Sequence, residues 1–257
     1  MKKQTISVVL ATFNEEKYLR DCLESVKNIA DEIVIVDGTS SDKTVEIAKE
    51  FGAKVLIKDN PPIFHINKQK AIDMATKDWI LQLDADERVT PALAKEITAV
   101  INDDSKKENG YWIPRKNWFL GRFLMKGGVY PDYTLRLYKN GKGRLPMKDV
   151  HEQAVVEGVT GYLTEPLLHF ADPYFRRYLM RFNRYTTLIA KELQEKRTKK
   201  NFLTSLKYLI ALPVWWFFLV YIRHKGFMDM WQGFVFAFFS ALRFPVSYLK
   251  YLKSYEK

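Results

Sequence analysis

Residues 78–88 read Asp78-Trp79-Ile80-Leu81-Gln82-Leu83-Asp84-Ala85-Asp86-Glu87-Arg88, an apolar strand running straight into clustered carboxylates. Trp79 to Leu83 is apolar except for Gln82, the pattern of a strand buried in a mostly parallel sheet. Carboxylates just beyond such a strand lie at the carboxyl end of the sheet, where open α/β folds bind ligands. Asp84 and Asp86 are two apart, so on an extended segment both would reach toward one point. Two hard oxygen donors there suit Mg2+ or Mn2+ holding phosphates. Alone, Asp-X-Asp is a weak signal, because acidic surface loops are common.

The preceding residues strengthen it by repeating one architecture. Ile6 to Ala11 is a strand, ended by Thr12-Phe13-Asn14-Glu15-Glu16, and Tyr18, Leu19, Cys22, Leu23 and Val26 then fall at helical spacing. Glu32 to Asp37 is a second strand, followed by a Gly-Thr-Ser-Ser turn, with Asp42 placed to cap the next helix and Gly52 to end it. Ala53 to Ile57 makes a third strand, residues 66–76 a third helix, and the Trp79 strand follows. Strands and helices alternating at this spacing imply right-handed βαβ units in a parallel sheet, with helix starts and carboxylates gathered at one edge. That edge is a nucleotide pocket.

Three ordered motifs, Ser7-Val-Val-Leu-Ala-Thr-Phe-Asn-Glu15-Glu, Val34-Ile-Val-Asp37-Gly-Thr-Ser-Ser-Asp42-Lys-Thr and Leu83-Asp84-Ala-Asp86-Glu, resemble the family 2 inverting glycosyltransferases of GT-A fold. The likeness covers roughly residues 5–170. Within it, Gly110 to Gly121 and Val150-His151-Glu152 are similar to lipopolysaccharide core-type enzymes. The resemblance implies an α/β, GT-A (Rossmann-like), mostly parallel sheet flanked by helices, and a nucleotide sugar, with UDP as the expected nucleotide, as donor.

It also implies roles. Thr12, Phe13, Glu15 and Asp37 would contact the nucleoside, and Lys68 stands where the family usually has Arg near the diphosphate. Asp84 would meet ribose or water near the metal and Asp86 would ligate the cation, Mn2+ or Mg2+, with His169 as a third ligand. Each has a plainer reading: Glu15 as a first-turn helix charge, Asp37 as a turn residue, Lys68 as a solvated lysine and His169 as a core histidine. The general base falls on Glu152, oriented by His151, where family members often have an acidic pair; Asp132 is its rival. Arg136 alternates out of a strand and could reach phosphate or acceptor.

The chain has 257 residues, enough for a catalytic domain (1–175, with a nucleotide-binding half 1–100 and an acceptor half 101–175) and an appendage (176–257). Cys22 is the single cysteine, excluding an internal disulfide and fitting a reducing cytoplasm. Met1-Lys-Lys-Gln leads directly into the first strand, so no separate signal peptide is expected. The net charge of +11 is concentrated in residues 176–207, including Arg176, Arg177, Arg181, Arg184, Lys196, Arg197, Lys199 and Lys200.

Apolar Tyr208 to Ile222 follows, shorter than the ~20 residues that span a bilayer comfortably, then a second aromatic helix near 227–249. These read as a basic, aromatic, membrane-associating pair lying in or dipping into the cytoplasmic leaflet, against anionic lipid. A soluble helix pair covering the core and a shallow transmembrane hairpin are the alternatives. Continuous aromatic runs do not suit nucleic acid, which uses spaced stacking platforms. The expected acceptor is a lipid-linked or lipopolysaccharide-type glycan at the membrane surface. A polyprenyl-phosphate glycosyltransferase and a catalytically inactive nucleotide-sugar-binding module are the runners-up. A nucleotidyltransferase would need a Gly-rich basic loop after the first strand, and none is present. Donor sugar, linkage and oligomeric state are left open.

Overall fold

The structure is a computed structural model describing residues 3–147 and 153–253. It divides into two compact units: Met1–Arg115 with Asp132–His169, and Lys116–Pro131 with Phe170–Lys257.

The first unit begins with the expected alternation. Strand β1 (Ile6–Thr12) leads to helix α1 (Glu16–Val26), β2 (Glu32–Asp37) to α2 (Thr44–Glu50), and β3 (Lys54–Ile57) to α3 (His65–Asp73) and β4 (Trp79–Gln82). β1 pairs in parallel with β2 on one side and β4 on the other, and β2 with β3. Val8, Leu10, Ile35 and Leu81 are fully buried, and so are Leu19, Cys22, Leu23 and Val26 of α1, which cover one face. Full burial of each large aliphatic side chain contributes about 2 kcal/mol. Gly52 ends α2 with φ +68, a conformation open to glycine at little cost.

After β4 the pattern changes. A tight turn at Asp84–Asp86 leads to β5 (Glu87–Val89) and α4 (Pro91–Ile101), which is capped by Thr90 and has Pro91 in its first turn. β6 (Gly110–Phe119), β7 (Arg122–Phe123) and β8 (Asp132–Lys139) follow, then β9 (Gly143–Arg144), β10 (Val155–Val156), β11 (Thr160–Tyr162) and β12 (Leu167–Asp172). β8 joins β4 antiparallel and β6 joins β8 antiparallel, giving the order β3-β2-β1-β4-β8-β6. The sheet is thus parallel in its first half and runs antiparallel from β4 through β8 to β6, because β6 and β8 return as neighbours without a crossover helix, while β11 pairs in parallel with β6.

At the amino end of this sheet, Glu32 is buried beside Ser7, Lys54 and Thr76. It accepts from Lys54 Nζ at 2.5 Å, Thr76 N at 2.8 Å and Thr76 Oγ1 at 3.0 Å, and from the Ser7 hydroxyl. Burial alone would raise its pKa; the Lys54 ammonium, the Ser7 hydroxyl and the two Thr76 donors outweigh that and bring it down to about 2.

The second unit is mainly helical. α5 (Phe175–Glu195) packs on the C-terminal helix Met230–Lys253, where Phe239 meets the rings of Phe175, Tyr178 and Phe182 at 5.5, 5.4 and 5.3 Å. A helix from Phe202 to Arg223, long and apolar enough to cross a membrane, packs on the same partner. In the segment Lys116–Pro131, the backbone N–H groups of Met125 and Lys126 donate to buried Asp229 at 3.0 and 2.7 Å.

A carboxylate with a depressed folded-state pKa stabilises the fold above its unfolded value, and the benefit is lost as pH falls through the folded value. Glu32→Gln should therefore lower stability by about 2 kcal/mol at pH 7, with the deficit shrinking as pH drops from about 4.5 toward 2. Urea midpoints at pH 7 and pH 3 check this; an equal deficit at both contradicts it.

Candidate functional site

The carboxyl ends of β1 and β2 are fastened to each other. Asp37 is fully buried: Oδ1 accepts from Thr12 Oγ1 at 2.9 Å and Ser40 Oγ at 2.6 Å, and Oδ2 from Ser40 N at 2.7 Å. Asn14, with φ 55, donates its N–H to Ser40 Oγ at 2.8 Å and accepts from Ser41 N at 2.9 Å. The starts of α1 and α2 cap one another, with Glu16 N donating to Asp42 at 3.1 Å and Lys43 N donating to Glu16 at 3.1 Å. Glu15 N donates to Thr44 Oγ1 at 2.7 Å, while Phe13 stands exposed beside this frame. Two helix N-termini, each favouring negative charge, thus meet at one sheet edge. Asp37 serves here as the frame of the loops.

The Asp84-Ala85-Asp86 segment is not extended. Glu87 N donates to Asp84 O at 2.9 Å, closing a turn. The expectation of an extended segment is corrected by this turn. Asp84 instead lies between Lys68 of α3, with which it forms a close ion pair, and Arg136 of β8, whose guanidinium donates to Oδ2 at 2.6 Å. Burial would raise the Asp84 carboxyl, but Lys68 and Arg136 hold it well below the usual carboxylate range. Lys68 is itself pulled down by burial, against the attraction of Asp84.

Glu87 organises the next layer from full burial. It accepts from Arg136 at 2.8 Å and from Asp84 N at 2.9 Å, and Arg115 approaches it at 3.4 Å. Arg115 also clamps Asp132, with Nη2 at 2.7 Å and Nε at 3.0 Å from one oxygen. Register explains that pair, since Arg115 and Asp132 face each other across the antiparallel β6–β8 ladder. The result is a chain of alternating charge, Lys68–Asp84–Arg136–Glu87–Arg115–Asp132. Each carboxylate in it has a cation, which burial demands of Glu87, while Asp84 and Asp132 are 29% and 35% exposed.

Asp86 lies against β12. β12 pairs antiparallel with β5, setting His169 opposite Glu87 and bringing its Nε2 within 3.5 Å of Asp86 Oδ1. An imidazole nitrogen and a carboxylate oxygen at that spacing fit a divalent transition metal. Among the described residues no group of three or more His, Cys, Asp or Glu converges as a metal site. With both oxygens engaged by cations, Asp84 is placed to frame the site beside Asp86 and His169. His151 and Glu152 lie outside the described residues. Sequence reading missed Arg115 altogether and left Glu87 as a neighbour of the motif; the long-range β6–β8 pairing that explains both leaves no local signal.

The model for "Glycosyl transferase family 2" matches residues 7–167. A lipopolysaccharide core biosynthesis glycosyltransferase, LpsC, of Rhizobium meliloti (strain 1021) is 31% identical over 254 residues, spanning 94% of this chain and 92% of the relative. An uncharacterized glycosyltransferase of Rickettsia felis (strain ATCC VR-1525 / URRWXCal2) is 28% identical over 257 residues, spanning 93% and 88%. Among solved structures, S. aureus TarS 1-349 in complex with UDP aligns with a TM-score of 0.52 at 16% identity, covering 96% of this chain and 91% of that one.

Removing the charge of Glu87 strands Arg136 and Arg115 in a buried setting. Glu87→Gln should destabilise by about 3 kcal/mol, whereas Asp132→Asn, whose side chain is 35% exposed, should cost under about 1 kcal/mol. Thermal unfolding of the two variants distinguishes them; equal losses would show that Glu87 is not the hub.

Proposed function

The chain belongs to glycosyl transferase family 2, and we propose that it moves a sugar, with inversion, from a nucleotide-sugar donor (UDP as nucleotide) to a lipid-linked or lipopolysaccharide-core-type glycan. It is a glycosyltransferase of GT-A fold. The observation that carries the donor reading is the placement of Lys68 and Arg136 around Asp84, just beyond the carboxyl end of β4. Such cations suit a diphosphate.

In this reading Thr12, Phe13 and Glu15 border the nucleoside, with Asp37 holding their loop. Lys68 and Arg136 pass from Asp84 toward the diphosphate, compensating the charge that grows as the sugar departs. Asp86 and His169 would hold the divalent cation, Mn2+ or Mg2+, which when bound supplies Lewis-acid stabilisation of the leaving diphosphate. Glu152 takes the proton of the acceptor hydroxyl as that oxygen attacks the anomeric carbon. His151 orients Glu152, and Asp132, clamped by Arg115, is the less available base.

The apolar helix Phe202–Arg223 supports the lipid side of the acceptor, and in this reading the enzyme works at the cytoplasmic face of the cell membrane. The same helix favours a second reading, a polyprenyl-phosphate acceptor, if it crosses the bilayer. The catalytic unit is residues 1–175 and the membrane-associating part 176–257, with anionic lipid as partner.

Two substitutions test the site. Asp86→Asn should reduce transfer by more than ~10²-fold at saturating Mn2+ while the unfolding temperature is kept; near-normal turnover removes Asp86 as a ligand. Glu152→Gln should lower kcat by ~10²-fold or more with donor binding unchanged. If Asp132→Asn gives that result and Glu152→Gln does not, the base is Asp132.

A further inference from the structure

Helix Phe202–Arg223 has one packed face and one bare face, and the bare face is apolar. On the packed side Tyr208 stacks on Tyr248 at 5.1 Å, Phe217 meets Phe234 at 5.8 Å, and Val220 is buried. On the other side Phe202, Leu206, Ile210, Val214, Phe218 and Ile222 are between 42% and 79% exposed. These six are spaced by four. With 3.6 residues per turn, such a row would swing about 200° around a regular helix. It stays bare along the whole length because Lys207–Ala211 and Leu219–Arg223 are π-helical turns. Their i→i+5 bonding puts more residues in each turn and rotates the row back. The product is a continuous apolar ridge on a chain that is otherwise strongly basic.

Charge identifies what covers it. Basic residues flank both ends, Lys199 and Lys200 before the helix and Arg223 and Lys225 at its close, with Lys207 one turn in. A crossing segment carries its Lys and Arg excess on one side, whereas a helix lying on an anionic surface sets both ends among headgroups. The neighbours agree. Arg243 lies over the Trp216 ring at 4.3 Å, so a crossing would draw a guanidinium deep into hydrocarbon. α5, packed along the same C-terminal helix, carries Arg176, Arg177, Arg181 and Arg184, of which Arg181 is bound to Asp172 at 2.9 Å.

We propose that helix Phe202–Arg223 lies flat in one leaflet of an anionic bilayer, with the six-residue ridge turned to the acyl chains and both ends at headgroup level. This deepens the membrane part of the proposed function, rests on it, and removes the crossing that the polyprenyl-phosphate reading invokes.

The test uses full-length protein on vesicles of phosphatidylglycerol and phosphatidylethanolamine. Nitroxide labels at Phe202→Cys, Ile210→Cys and Phe218→Cys report depth by their accessibility to oxygen and to a water-soluble nickel chelate; buried Cys22 is replaced by Ala. A flat helix places all three within ~5 Å of one depth, inside the ~5–10 Å interfacial layer. A middle label deeper than both ends by ~10 Å or more means crossing and overturns the proposal. Labels that stay in water, with a dimer seen by light scattering, overturn it in favour of a second copy. Ile210→Glu with Phe218→Glu should cut vesicle binding at least ~10-fold and leave UDP affinity unchanged. Unaltered vesicle binding in that variant also overturns the proposal, whereas absence of UDP binding in the wild type strikes the donor reading alone.

Discussion

The charge chain that starts from two buried cations, Lys68 and Arg136, on either side of Asp84 constrains most of the first unit. Buried cations need a carboxylate partner, and Asp84, itself 29% exposed, partners both. Those cations come from α3 and from β8, elements 68 and 136 residues into the chain. Lys68 therefore fastens the parallel half to the strand end, and Arg136 fastens the antiparallel half to the same point. Glu87 and Arg115 extend the arrangement to Asp132, so an error in β6–β8 register would leave several charges buried without partners. The network specifies the pairing of the two halves of the sheet more than it adds to stability.

The same arrangement suits donor binding. Lys68 and Arg136 are held in place by carboxylates before any ligand arrives, so little is lost in ordering them. Helix N-termini at the carboxyl ends of β1 and β2, locked by the reciprocal Glu16–Asp42 caps, add fixed partial charges at the same sheet edge. In the proposed mechanism, the cations that steady Asp84 are the ones that meet the diphosphate.

Much of this was legible in the sequence, for physical reasons that differ by element. The β1–β4 alternation was readable because parallel strands are buried on both faces and their helices have one apolar face, so periodicity carries the signal. Helix α3 was read at 66–76 and runs His65–Asp73, a shift at the ends, where capping is weakest as a signal. The backbone at Asp84–Asp86 was read as extended and is a turn, which brings β5 back against β12. Arg115 was invisible because its partner Asp132 is fixed by antiparallel register, which no local pattern encodes. The aromatic C-terminal helices were recognisable from composition; the π-helical turns that align the Phe202–Ile222 ridge were not.

The central claim is that Lys68 and Arg136 hold the diphosphate of a uridine nucleotide. Titration calorimetry of UDP with Mn2+ into the wild-type protein and into Lys68→Met tests it most directly. The account predicts saturable binding by the wild type and a loss of at least ~10-fold, or ~1.4 kcal/mol, in the variant. Arg136 still pairs with Asp84 there, so the fold should persist. Equal affinity in the two proteins, or a wild type that ignores UDP, would contradict it.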